Sequence, residues 1–168
     1  MDVTAVIEVQ EAIALAMENS RSGLLGYLGR LLGNAADAED VFQETAVRAL
    51  QAKRQAPAAE LRPWLFRIAT NRALDLIRRR RKTAEVDALE APGPGVEQHV
   101  ETRITLRAVR QFVDALPPKQ RAAFILRRYE GTEYAEIGAA LGCSEDSARA
   151  NAYQALKRLR EHFLGRER

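Results

Sequence analysis

An acidic stretch that contains proline and glycine divides this 168-residue chain. Segment 83–101 holds five acids and no lysine or arginine, and it includes the run Ala-Pro-Gly-Pro-Gly at 91–95. Proline and glycine interrupt regular structure, so this composition is typical of a linker. We therefore expect two separately folded halves: a domain at 1–83, a linker at 84–100 and a second domain at 101–168.

Both halves have the composition of helices. The chain is 46% hydrophobic and 29% charged, and no stretch alternates as a strand would. The predicted fold is all-α, with two small helical domains joined by a flexible linker. We expect a first helix to end at Gly33-Asn34 and Asn34 to cap a second helix at 35–53. A polar loop is predicted at 51–60.

The next segment, 61–82, is predicted to be an arginine-rich helix. It carries eight basic residues and one acid, Asp75, and Pro63 suits its first turn. Such an element is suited to bind phosphate groups. At 100° per residue, one polar stripe joins a tryptophan to four polar residues: Trp64, Arg67, Asn71, Asp75 and Arg78.

The second helix begins with acids, which suit the positive end of a helix dipole. They are Asp37, Glu39, Asp40 and Glu44, and the expected buried side is Val41, Phe42, Thr45, Val47 and Leu50. A solvated helix start is one interpretation of these acids. A metal-dependent nuclease that uses Asp37, Asp40 and Glu44 is the alternative, although no histidine cluster or phosphate-binding loop accompanies them.

Four helices are predicted after the linker. The first spans 101–116, the second begins at Pro118 and stops at Gly131, Thr132 caps a third that runs to Leu141, and Ser144 caps a fourth that runs to about 164. The third and fourth match the spacing of a helix-turn-helix, with a small residue at Gly138, a turn glycine at Gly142 and a small apolar residue at Ala148.

The last helix has an apolar face and a polar face. The expected core side is Ala148, Ala152, Ala155, Leu156, Leu159 and Phe163. Opposite it lie residues that suit DNA contact, with Tyr153 and Arg149 at one edge. Asparagine and glutamine bond adenine edges, whereas lysine and arginine near the helix end hold phosphates.

The cysteine count and hydropathy exclude several classes of protein. The single cysteine, Cys143, forms no intramolecular disulfide, and it makes no metal set with the two histidines, His99 and His162. No apolar run is long enough to span a membrane. With a net charge of +3, a soluble cytoplasmic protein without cofactor or metal is expected.

The order of these features resembles the bacterial extracytoplasmic-function (ECF) sigma factors, members of the sigma-70 family that retain only domains 2 and 4. Three motifs carry the resemblance: DAEDVFQETAVRAL at 37–50, LRPWLFRIATNRALDLIRRRRK at 61–82 and LPPKQRAAFILRRYEGTEYAEIGAALGCSEDSARANAYQALKRLRE at 116–161. The resemblance implies a protein without catalysis of its own, which binds core RNA polymerase, delivers it to promoter DNA and helps to open the duplex.

The resemblance also assigns residues. The acidic segment is similar to the surface that docks on the β′ clamp helices, through Asp37, Glu39, Asp40, Gln43 and Glu44. The loop and the arginine-rich helix are similar to the elements that melt and read the minus-10 element, through Arg54, Trp64, Arg67, Asn71, Arg78, Arg79, Arg80 and Arg81. The last helix is similar to the reader of the minus-35 element, with Ser147, Arg149, Asn151, Gln154, Lys157 and Arg158 as candidate contacts.

The resemblance implies further partners, namely the polymerase β subunit and an anti-sigma factor, and no insertion into a membrane. A helix-turn-helix regulator that acts without replacing a sigma subunit is the alternative. The two hypotheses differ in whether the chain binds core polymerase.

Overall fold

The computed structural model describes residues 3–52, 58–87 and 101–165, and nearly all of these residues lie in helices. The helices are α1 (Val3–Leu32), α2 (Ala35–Gln51), α3 (Ala58–Asp87), α4 (Glu101–Ala115), α5 (Pro118–Tyr129), α6 (Tyr134–Leu141) and α7 (Glu145–Phe163). The all-α prediction is confirmed. Among the described residues, none of the helices has the length and apolar character needed to cross a membrane.

Helices α1, α2 and α3 pack against one another in the first half. The turn between α1 and α2 forms as predicted: Gly33 adopts φ 73°, and the Asn34 side chain accepts from the amides of Ala36 and Asp37 at 2.8 and 3.2 Å. That cap satisfies first-turn amides that would otherwise lack a partner. The three helices contribute most of the fully buried large side chains, namely Ile13, Leu24, Tyr27, Leu28, Leu31, Thr45, Leu65 and Thr70.

A buried hydrogen bond joins α1 to α3. The hydroxyls of Tyr27 and Thr70 lie 3.0 Å apart, and both side chains are inaccessible to solvent. Burial raises the pKa of the Tyr27 phenol well above its ordinary value, while the hydrogen bond with Thr70 opposes that shift. This bond lies on the buried side of α3, opposite the side that faces solvent.

Helix α3 is longer than the sequence predicted at both ends. It begins at Ala58 rather than Leu61, so Pro63 lies inside the helix and residues 58–60 of the predicted loop are helical. The alanines at 58 and 59 favour helix, and this propensity outweighs the polar composition around Pro57. At the other end, α3 continues to Asp87, past the predicted domain boundary at 83. The linker predicted at 84–100 falls mostly at 88–100, outside the described residues.

Helices α6 and α7 form the helix-turn-helix in the second half. A Cβ atom added at Gly138 would lie 2.8 Å from the Cys143 carbonyl oxygen, so the backbone approaches here as only glycine allows. Gly142 ends α6 with φ 64°, and Ala148 is fully buried between the helices. The Ser144 side chain accepts from the amide of Ser147 at 3.1 Å, which confirms the predicted cap of α7.

The predicted cap of α6 is wrong. The residue at the cap position is Glu133, which has extended backbone and makes no side-chain capping bond. Thr132 is instead buried in the preceding turn, where its amide donates to the Leu126 carbonyl at 3.1 Å. Thr132 was predicted as the cap from its residue type. Its backbone instead belongs to the turn after α5, one residue before the cap position at Glu133.

The two halves of the chain are in contact in the structure, whereas separately folded halves were predicted. Helices α1 and α3 pack against α5 and α6, and one hydrophobic cluster runs through both groups. Polar contacts cross the same boundary. They are the Arg30–Glu130 ion pair at 3.4 Å, the Arg62–Glu136 pair at 3.9 Å, and hydrogen bonds from Arg81 to the Leu116 carbonyl and from Arg110 to the Gly33 carbonyl, each 2.8 Å long.

Candidate polymerase and nucleic-acid interfaces

The acidic face of α2 is exposed along one side of the first half. Asp40, Gln43 and Glu44 lie on this face at helical spacing. Two acids of α2 are bound by arginines: Arg80 binds Asp37 at 2.6 Å, and Arg72 binds Glu44 through Nε at 2.6 Å and through Nη2. Because these arginines lie on α3, the ion pairs fix α2 against the arginine-rich helix.

The structure corrects the predicted buried side of α2 and adds residues to its exposed face. Val47 and Leu50 were expected in the core, but their exposures are 53% and 36%. Val47 instead shares a shallow groove of about 490 Å³ with Asp40, Gln43, Glu44, Arg48 and Gln51. The i, i+3, i+4 and i+7 spacing of Asp40, Gln43, Glu44 and Val47 is the sequence signal that could have identified this face.

Several acids of α2 take part in ion pairs with arginines. Among the described residues, no group of three histidine, cysteine, aspartate or glutamate side chains is arranged to hold a metal ion. Asp37 and Glu44 each bind a guanidinium, and Glu39 lies 3.7 Å from Arg21. These ion pairs make the carboxylates part of a charged surface.

The polar stripe predicted on α3 faces solvent. Arg67, Asn71 and Arg78 are exposed, and Trp64 is half-buried at the head of the stripe. Asp75 accepts from Arg78 at 3.2 Å and lies 4.0 Å from Arg72, so the single acid of the stripe pairs within its own helix. The opposite face of α3 is buried in the core through Leu65, Phe66, Ala69, Ala73 and Leu74.

The basic end of α3 is divided between internal contacts and solvent. Arg80 and Arg81 are bound to Asp37 and the Leu116 carbonyl, whereas Arg78 and Arg79 extend along the exposed side. The predicted minus-10 set is therefore brought onto one helix, but two of its arginines also contribute to packing. Arg54, the remaining member, lies outside the described residues.

Helix α7 exposes the polar face that was predicted to contact DNA. Ser147, Arg149, Gln154, Lys157 and Arg158 are exposed, and Asn151 is half-buried with its amide donating to the Ser147 carbonyl at 2.8 Å. The buried face is Ala148, Ala152 and Ala155, as predicted, while Leu156, Leu159 and Phe163 are half-buried. Tyr153, which the candidate set omitted, projects from α7 with 61% exposure.

A buried arginine anchors the start of α5 beneath this helix-turn-helix. Arg121 is 5% exposed, and its Nη2 lies 2.6 Å from Asp114. Burial lowers the pKa of the Arg121 guanidinium, while the carboxylate of Asp114 opposes that shift. The pair joins α4 to α5, and α5 in turn packs against α6 and α7 of the helix-turn-helix.

These features define the class of protein: an all-helical DNA-binding protein with a helix-turn-helix in one half and a basic, solvent-facing helix in the other. Comparison with protein families is consistent with that class. The family model "Sigma-70 region 2" matches residues 17–83, and "Sigma-70, region 4" matches residues 106–159. The two matches include α2, most of α3, all of α6 and most of α7.

Curated relatives carry the same classification. The chain is 34% identical over 140 residues to the ECF RNA polymerase sigma factor SigE of Mycolicibacterium smegmatis, covering 80% of this chain and 54% of that protein. It is 34% identical over 141 residues to the RNA polymerase sigma factor CarQ of Myxococcus xanthus, covering 81% of this chain and 80% of that protein. The chain thus spans about half of the first relative and most of the second.

A solved structure has the same fold. It is the sigma factor RpoE in complex with the anti-sigma factor NepR from Bartonella quintana, with a TM-score of 0.63, 23% identity, and coverage of 96% of this chain and 99% of that one. Together with the family matches, these findings show that the chain belongs to the ECF sigma factors of the sigma-70 family. The function of that family is transcription initiation. Membership therefore favours a sigma factor over the alternative, a helix-turn-helix regulator that acts without replacing a sigma subunit.

Proposed function

We propose that this chain uses three surfaces as a sigma subunit: α2 to bind core RNA polymerase, α3 to open and read the minus-10 element, and α7 to read the minus-35 element. One observation carries this assignment. The exposed polar faces of α2, α3 and α7 are the faces opposite to those that build the core. The chain itself supplies no catalytic group in this proposal, because the polymerase performs the chemistry.

The exposed face of α2 is the proposed dock for the β′ clamp helices. It combines acids with an exposed apolar residue, Val47, beside Asp40 and Gln43. A mixed apolar and acidic helix face suits a partner helix with apolar and basic residues, because desolvated apolar area supplies affinity and charge supplies register. The β subunit is a further proposed contact, and a cytoplasmic location is proposed because RNA polymerase and promoter DNA are both in the cytoplasm of a bacterium.

The Trp64 end of α3 is the proposed site for the opened strand. Trp64, Arg67 and Asn71 lie along one face, where an aromatic ring, a guanidinium and an amide can contact unstacked bases. Extruding a base costs a few kcal/mol of stacking, which such contacts offset. Arg78 and Arg79 are suited to hold duplex phosphates, and Arg54 completes the proposed set from the preceding loop.

The polar face of α7 is the proposed minus-35 reader. The second helix of a helix-turn-helix enters the major groove and presents its first residues to base edges. Ser147, Arg149, Asn151 and Gln154 occupy that part of α7, and Lys157 and Arg158 lie nearer its end. We assign the first four to base edges and nearby phosphates, and the last two to phosphates.

An anti-sigma factor is a further proposed partner. The solved structure with the same fold is a sigma factor in complex with an anti-sigma factor. Such a protein would bind the first and second halves together, and its addition would suppress transcription by this chain. Purification of the tagged chain from its own cells, followed by transcription with each copurifying protein added back, tests this assignment.

Binding of variants to core polymerase tests the docking surface. Asp40→Ala combined with Gln43→Ala removes two exposed side chains from the α2 groove while leaving the α2–α3 ion pairs in place. We expect affinity for core polymerase to fall about tenfold or more, as for truncation of central interface residues. Glu18→Ala, at an exposed acid of α1, is the control and keeps wild-type affinity. Equal affinities for all three proteins would refute the assignment of α2.

A further inference from the structure

The start of α7 holds its arginine with two carboxylates. The Arg149 guanidinium donates to Glu145 Oε1 at 2.8 Å and to Asp146 Oδ1 at 3.1 Å. It also lies over the Tyr134 ring, with Cζ 5.1 Å from the ring centroid. The arginine nearest the start of the proposed reading helix is therefore bound by its own chain.

The charge of this turn opposes DNA binding. Two carboxylates surround one guanidinium, so the turn has a net negative charge where the proposed reading helix would meet a polyanion. The side chains of Glu145 and Asp146 are 52% and 92% exposed, so DNA in the major groove would meet these charges directly. Their position at the start of α7 is that of base-contacting residues in a helix-turn-helix.

The fold does not depend on these two ion pairs. Ser144 already caps α7 through the amide of Ser147, and the buried face of the helix is formed by alanines. Arg149 itself is 53% exposed, and exposed ion pairs contribute little to stability. The pairs can thus exchange for another anion that reaches the guanidinium, and the closely spaced phosphates of DNA supply such anions.

We propose that Glu145 and Asp146 compete with DNA for Arg149 and thereby set the affinity of α7 for its promoter element. This inference rests on the proposed function of α7 as a DNA reader. In the free chain the guanidinium is bound to the two carboxylates, and DNA binding must first displace them. The two acids therefore lower the affinity of α7 for any duplex, and most strongly for sequences that offer no compensating base contacts.

A double-mutant cycle in the full-length chain tests the competition. Affinity for a short mixed-sequence DNA duplex is measured by fluorescence anisotropy over a salt series, with Glu145→Gln plus Asp146→Asn in the wild-type and in the Arg149→Ala background. We expect the paired substitution to raise affinity about three- to tenfold at low salt and to steepen the salt dependence by about one phosphate contact. In the Arg149→Ala background we expect less than about a twofold change.

An exposed acid of α1, away from the proposed DNA surfaces, serves as the control. Glu18→Gln should leave the affinity within about twofold of wild type. No gain from the paired substitution would overturn the proposal. An equal gain in the Arg149→Ala background would also overturn it, because the acids would then act by general repulsion. Circular dichroism of each variant checks that its helical content is the same as that of the wild type.

A second substitution separates this inference from the proposed function. Lys157→Ala combined with Arg158→Ala removes exposed cations of α7 that take no part in the Arg149 cluster. A fall in affinity with this variant, together with no gain from substitution of Glu145 and Asp146, would leave α7 as a DNA reader and reject the competition alone. Unchanged affinity with the Lys157 and Arg158 variant, when Arg78→Ala and Arg79→Ala have removed the proposed phosphate contacts of α3, would reject the DNA-reading role of α7 itself.

Discussion

The buried hydrogen bond between Tyr27 and Thr70 gives the most direct test of how α3 is held. Both residues are fully buried and their hydroxyl oxygens are 3.0 Å apart. Tyr27→Phe keeps the ring and removes the hydroxyl, so the change measures the bond and the cost of leaving the Thr70 hydroxyl unpaired. We expect the free energy of unfolding to fall by about 1–2 kcal/mol.

A double-mutant cycle isolates the pair. Thr70→Val replaces the other hydroxyl by a methyl group and should cost about 1–3 kcal/mol, because the buried phenol then has no partner. The double variant should lose about 1 kcal/mol less than the sum of the single changes. Urea denaturation followed by circular dichroism measures all four proteins, and Tyr153→Phe at the exposed surface should change stability by less than about 0.5 kcal/mol.

The same phenol gives a dependence on pH. Burial raises the pKa of Tyr27, so above its ordinary value of about 10 the unfolded chain loses the proton while the folded chain keeps it. Stability is therefore fully present below about pH 10 and falls as pH rises above it, by at most about 1.4 kcal/mol per pH unit. Tyr27→Phe should remove this component. Additive single changes in the cycle, or the same alkaline slope in Tyr27→Phe, would refute the reasoning.

Two further predictions concern the helix-turn-helix and the minus-10 surface. Gly138→Ala places a Cβ 2.8 Å from the Cys143 carbonyl oxygen and should destabilise the chain by about 1–3 kcal/mol in thermal unfolding. Gly29→Ala is the control, because its Cβ meets nothing within 4 Å, and it should be neutral or stabilising. Equal effects of the two substitutions would contradict the close approach at Gly138. Asn71→Ala should weaken promoter opening, measured by permanganate reactivity of thymines, more than core binding, and an equal loss in both assays would contradict a role in the opened strand.

Local chemistry made the turns of this fold predictable. Asn34 and Ser144 cap their helices because short polar side chains accept from first-turn amides, and that need depends on few neighbours. Gly138 and Gly142 were predictable because close backbone approach and positive φ each favour glycine. The order of these signals carried the family assignment.

Features that depend on tertiary contacts were not predictable from the sequence. Val47 is apolar and was expected in the core, but the buried side of α2 is Ala38, Val41, Phe42, Thr45 and Ala49, and the exact edge of that side depends on how α2 packs against α1 and α3. Thr132 has the residue type of a cap, yet it is buried in the turn after α5. The contact between the halves likewise depends on partners such as Arg30 and Glu130, which no local pattern connects.

The two uses of arginine were also hidden in the sequence. Arg80 and Arg81 are adjacent to Arg78 and Arg79 in one basic run, but Arg80 and Arg81 bind groups outside α3, whereas Arg78 pairs with Asp75 of its own helix. Charge density predicted a phosphate-binding helix, but the direction of each arginine side chain depends on how α3 is rotated about its axis relative to α2. That rotation depends on which side of α3 is buried, and the periodicity of apolar residues indicated this side only in part.

Transcription reconstituted with purified core RNA polymerase tests the central claim most directly. A library of genomic DNA fragments is transcribed with this chain as the only sigma subunit, and the 5′ ends of the RNA are sequenced. We predict transcripts that begin downstream of two shared sequence elements at a fixed spacing, and that are lost when Asp40→Ala and Gln43→Ala are combined. Core polymerase that neither binds the chain nor starts RNA at shared elements would contradict the account.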